Sequence, residues 1–142
     1  MRRILLGFLF SLIWSFSVEA QAPFYQGKTI SIVVGNKAGD VYDLYARLLG
    51  HHMPTHIPGN PNIITQNMPG AGSLIAANYV YNVSKPDGLT VGAIYPALYF
   101  DQLIGRKEVK FDWTKFNWIG SPVTSNLLLY MRADTPYKTM DD

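Results

Sequence analysis

Two short stretches hold the residue types best suited to chemistry. They are Gly35-Asn36-Lys37-Ala38-Gly39-Asp40-Val41-Tyr42-Asp43 and Asn67-Met68-Pro69-Gly70-Ala71-Gly72-Ser73. Each lies between a β-branched run and a helical pattern. The first N–H groups of a helix have no intrahelical acceptor, and the helix dipole adds partial positive charge there. Such a turn suits an anion. Gly70 and Gly72 let backbone approach that anion with no side chain in the way. A carboxylate would take charge-assisted hydrogen bonds from these amides and from Ser73. Neither stretch is a nucleotide motif: Gly35 and Gly39 do not make G-x-G-x-x-G, and Gly70 to Ser73 lacks the P-loop Lys. Taken singly, each reads first as a tight turn closed by an Asp or Ser helix cap.

Other chemistries find less support. His52 and His56 are four apart, but Pro54 lies between them and denies them a common helical face. A metal site is therefore not expected. With no Cys and no Ser in a G-x-S-x-G elbow, no nucleophile and base can be paired. No cofactor is called for. Phe111, Trp113, Phe116 and Trp118 read as packing beneath a loop rather than a stacking platform.

The elements that must position the two loops follow from periodicity. Thr29 to Val34 is β-branched and apolar, as in a buried strand. Asp40 is placed to cap a helix in which Val41, Leu44, Tyr45, Leu48 and Leu49 recur at helical spacing, up to Met53 and Pro54. Asn62 to Gln66 reads as a second strand, and Ser73 as the cap of a helix reaching about Tyr81. Lys85-Pro86-Asp87-Gly88 is a turn by composition. A third strand is expected over Thr90 to Tyr95, followed by a helix opened by Pro96 and reaching Ile104. Gly105 to Lys115 reads as irregular, with short strands at Trp118 to Gly120 and Leu127 to Met131. Strands alternating with helices predict a mainly parallel α/β sheet. In open sheets of this kind, ligands collect at the carboxyl ends of the strands, where both loops lie.

The two ends of the chain carry signals of another kind. Arg2 and Arg3 precede an apolar run from Ile4 to Phe16, which ends at Ser17-Val18-Glu19-Ala20. Charge, length and small residues predict a secretory signal peptide over residues 1–20, cleaved after Ala20, with residues 21–142 as the mature domain. The run is short of the roughly 20 residues that span a bilayer. Removing Arg2, Arg3 and Glu19 lowers the formal charge from +2 to +1. So small a charge gives no support for nucleic-acid binding. Thr139 to Asp142 opens like a capping box with no helix behind it, which predicts a chain cut short, the alternative being a frayed tail.

Taken together and in order, A-G-D-V-Y-D-L-Y-A-R-L-L, Q-N-M-P-G-A-G-S, K-P-D-G-L-T and P-Y-K-T-M-D-D resemble one family. It is the extracytoplasmic solute receptors of tripartite tricarboxylate transporters, also called the Bug family. The resemblance runs from about Tyr25 to Asp142. It implies a periplasmic, non-enzymatic, two-lobed binding protein that closes on a small carboxylate-bearing solute and delivers it transiently to membrane transporter subunits. The fold implied is a periplasmic-binding-protein-like lobe, here the first of two, with the second largely missing. By the same resemblance the backbone amides of Ala38, Gly39 and Asp40 in one loop, and of Gly70, Ala71 and Gly72 in the other, hold the carboxylate. Asp43 organises the first loop, Tyr42 walls the pocket, and Tyr95 and Pro96 reach the cleft from a third loop. The family's first loop is richer in Gly, and Asp40 and Val41 stand here in two of those places. If Asp40 does not turn away as a cap, the site would prefer a neutral or cationic solute, or none. The rival readings are an exported α/β enzyme acting on a small anion and an inactive gene product.

Overall fold

The computed structural model describes residues 22–124, 132–136 and 139. The proposed signal peptide, the expected strand at Leu127 to Met131 and all of the Thr139 to Asp142 motif except Thr139 lie outside them. Three strands form a parallel sheet: β1 (Thr29–Val34), β2 (Asn62–Asn67) and β3 (Thr90–Ala93), in the order β2-β1-β3. Helix α1 (Val41–His52) joins β1 to β2, and α2 (Leu74–Asn82) joins β2 to β3. A short α3 (Leu98–Leu103) follows. The α/β expectation therefore holds, as part of a lobe of the expected kind.

The sheet order explains the packing. One crossover runs from β1 to β2 and the other from β2 past β1 to β3, in opposite directions across the sheet. Right-handed crossovers then put α1 and α2 on opposite faces. The core divides accordingly. Ile32 and Val34 pack with Ala46 of α1, joined by Tyr42, Ile63, Val91 and Ala93. Leu74 and Ala77 of α2 pack with Leu98 of α3 and with Phe111, joined by Tyr81, Ile94, Val109, Trp113 and Phe116. Central β1 is covered on both faces, and Ile30, Ile32, Val33 and Val34 are all buried. This is why its sequence is a continuous apolar run with only Ser31 interrupting.

Three expected elements differ. The third strand ends at Ala93 rather than Tyr95, because the Gly35 N–H to Ala93 O bond at 3.0 Å is the last it shares with the β1 side and Tyr95 O turns to Leu98 N–H. Pro96 and Ala97 form that turn, so the helix starts at Leu98 and not at Pro96. Trp118 to Gly120 is not a strand: Trp118 stacks on Trp113 with ring centroids 4.4 Å apart, and Ile119 is exposed. The segment before it is tied to α2 by the Asn78 amide, which donates to Glu108 O and accepts from Lys110 N–H, both at 2.9 Å.

Candidate functional site

The register brings three loops to one level. Val34, the last residue of β1, faces Asn67 on one side and Ala93 on the other, and each is the last residue of its strand. The 35–40 loop therefore leaves from the middle of the sheet, the 67–73 loop from one flank and Tyr95 from the other.

Asp43 is the hub of the first loop. It is 1 % exposed, on the inner face of the first turn of α1. Its Oδ2 accepts the Gly39 N–H at 2.8 Å and Arg47 Nε at 2.9 Å. Its Oδ1 accepts Asn67 Nδ2 at 2.8 Å. The Arg47 hydrogen bond above all, then those from Gly39 and Asn67, hold this carboxyl well below the usual carboxylate range, although burial pushes the other way. All of its partners are donors, so the site is built for an ionised acid. The Gly39 N–H is thereby occupied within the protein.

Asp40 stands at the helix start and turns inward to it. Its Oδ1 accepts the Tyr42 N–H at 3.1 Å, an N-cap, while its own N–H donates to Lys37 O. Ala38, in contrast, has an N–H that donates to no acceptor among the described residues.

The second loop is built differently. Asn67 donates from Nδ2 to Asn36 O at 3.1 Å as well as to Asp43, and its Oδ1 accepts from Arg47 Nη2 at 3.3 Å. Beyond Pro69 the backbone turns left-handed: φ is +145° at Gly70, +47° at Ala71, +62° at Gly72 and +72° at Ser73. For Ala71 and Ser73 this conformation costs about 1–2 kcal/mol each. Ser73 sits at the N-cap position of α2 but does not cap it. Its left-handed backbone directs the hydroxyl instead to Asn36 Oδ1, at 3.1 Å, and it is buried. The expectation of a Ser cap is thus corrected: the side chain joins the two loops. A Cβ on Gly35 would lie 2.8 Å from Ser73 Cα and closer still to its side chain, so glycine is needed for this approach. The N–H groups of Gly70, Ala71 and Gly72 donate to no acceptor among the described residues.

On the other flank, Tyr42 and Tyr95 meet edge to face, with ring centroids 6.0 Å apart and planes at 79°. Burial, then Tyr95 and Asp40, push the Tyr42 hydroxyl above its ordinary value. Asn36, Asn67 and Arg47 are the contributors that motif reading missed. The Asp43–Arg47 spacing of four was a legible helix pair. Asn36 and Asn67 carried no signal, because their partners are distant in sequence. Among the described residues no group of three or more His, Cys, Asp or Glu could hold a metal ion, and no helix is long and apolar enough to cross a membrane.

A parallel α/β lobe with glycine-bearing loops at the carboxyl ends of its strands is the arrangement in which open sheets ordinarily take small molecules. The tripartite tricarboxylate transporter family receptor profile matches residues 46–142, and the chain belongs to that family. Comparison with the curated proteins gives no match. The family is one of solute-binding receptors rather than enzymes, and its receptors are periplasmic.

Proposed function

We propose that this chain is an extracytoplasmic receptor that captures a small carboxylate-bearing organic acid for a tripartite-type transporter. The Ala38, Gly70, Ala71 and Gly72 amides would receive the carboxylate. One observation carries the reading. Residues 70–73 are held in a left-handed run, two of them non-glycine, and three N–H groups of that run are without an acceptor among the described residues. Strain of this kind persists only where surrounding structure enforces it, and it concentrates at functional sites. The Asn36–Ser73 bond and the close approach at Gly35 are what enforce it here. Asp43 and Ser73 act as positioning residues, and Gly39 contributes conformation rather than its amide. Export is supported by the charged, apolar and small-residue pattern of residues 1–20.

The test is calorimetry on the exported protein, expected to begin at Gln21, with mono-, di- and tricarboxylates and their neutral amides. At least one carboxylate should bind and its amide should not. Among the described residues nothing lies within 4 Å of a Cβ built on Gly72, so Gly72→Ala places a methyl in open space beside the proposed anion, at the same left-handed cost that Ala71 already bears. Binding should fall at least about tenfold while the far-UV spectrum is unchanged. Equal binding of acid and amide, or unaltered binding by Gly72→Ala, would reject the role given to this loop.

A further inference from the structure

The loops differ in what they offer beyond amides. Of the cations near them, Arg47 is committed: it pairs with Asp43 and donates to Asn67. Lys37 is exposed and has no ion-pair partner among the described residues. Asp40, also exposed, sets one negative charge in the same loop, two residues from Tyr42. The described loops thus present a handful of amides and one ammonium against one carboxylate. That balance suits one solute carboxylate. A second or third would face Asp40 with Lys37 alone, among the described loop residues, to offset them all, and like charges set together are costly.

The remaining surface at this end of the sheet is aromatic. Tyr42 packs against the β1 and α1 core and is only partly exposed. Tyr95 leans on it edge to face and is 45 % exposed, so one of its surfaces is not used by the fold. It leaves the sheet beside β1, on the side opposite the 67–73 loop. A solute whose carboxylate lies on the amides and whose body extends across the end of β1 would meet this pair.

Resting on the reading of the loops as a carboxylate site, we infer that the solute is a monocarboxylate with a flat, unsaturated body, and that Tyr42 and Tyr95 set this preference. A planar ring can stack on an exposed tyrosine face or meet its edge, which a puckered or multiply charged body cannot do as well. Three probes separate the possibilities: benzoate, cyclohexanecarboxylate with the same charge but a puckered ring, and citrate. Calorimetry on the full exported chain should find benzoate bound at least about tenfold more tightly than the other two. Tyr95→Leu, at an exposed position that should leave the fold intact, should weaken benzoate about tenfold and move cyclohexanecarboxylate by no more than about twofold. Citrate binding as tightly as benzoate, or benzoate binding untouched by Tyr95→Leu, would overturn this inference and leave carboxylate capture standing. Binding of no carboxylate in the wider acid and amide panel would overturn both.

Discussion

The 35–40 and 67–73 loops leave the same end of the sheet, and they are built by different means. Between β1 and α1 the helix start is closed by local bonds: Asp40 caps the Tyr42 N–H, and Asp43 reaches back four residues to Gly39, while Asn36 and Asp43 also take bonds from Asn67. Asp40 itself is in an ordinary extended conformation, with φ −72° and ψ 160°. Between β2 and α2 the turn has a local backbone bond, Leu74 N–H to Ala71 O, but no local side-chain cap. Ala71 and Ser73 are left-handed, no side chain caps α2, and the hydroxyl expected to do so bonds across to Asn36. One loop has a helix cap supplied by its own residues. The other takes its shape from its neighbour, and its strain can persist only while the two remain docked.

Gly35→Val is the most direct way to break this comparison. Its Cβ would meet the backbone of Ser73, which cannot swing aside as a flexible side chain would. A loss of about 3 kcal/mol or more is expected in urea denaturation, since overpacking costs about 1–3 kcal/mol even where neighbours can shift. Solute binding should disappear with it. A stability change below about 0.5 kcal/mol would mean that the two loops are not interlocked.

Asp43→Asn should have the next largest effect and adds a pH signature. An amide offers one acceptor oxygen where three donors converge, and its own N–H₂ would face one of them. The native carboxyl has its pKa lowered by folding. It therefore contributes stability that is full above the unfolded value, about 4, and is lost as pH falls toward the lower folded value. Urea midpoints should show the variant weaker at pH 7, with the gap to the native protein narrowing below about pH 4. A gap that is constant with pH would show that the charge of Asp43 is not what secures the first loop.

The smallest effects sharpen the contrast by having opposite signs. Asp40→Ala removes a local cap and should destabilise by about 1 kcal/mol. Ala71→Gly relieves a left-handed residue whose side chain is exposed, against a smaller entropic cost in the unfolded chain. It should stabilise by roughly 0.5 kcal/mol. Thermal melts of the two single variants test this, and two losses of equal size would remove the distinction between a locally and a distantly determined loop.

What could be read from residues alone was whatever depends on neighbours in sequence. The β1 boundaries, the Asp40 cap and the start of α1 were legible because apolar runs and helix starts are short-range patterns. The family was legible too, from motifs spread over the chain, and its profile matches residues 46–142. The ends of β3 and α3 were less so: Ile94 and Tyr95 have strand composition, but β1 turns away after the Gly35 N–H bond to Ala93 O, and Tyr95 O turns to Leu98 N–H. Trp118 and Ile119 resemble a strand by composition, whereas Trp118 is taken up by stacking on Trp113. The role of Ser73 was misread for the same reason. A serine before a helix is ordinarily a cap, and only the approach of Asn36, 37 residues away, turns it into a bridge. The sequence by itself determined the order of the elements, the parallel sheet and the position of both glycine-bearing loops, because each follows from local spacing. Tertiary structure alone decided which amides are left without acceptors and that Tyr42 meets Tyr95, because those facts depend on β1 lying between β2 and β3 in space.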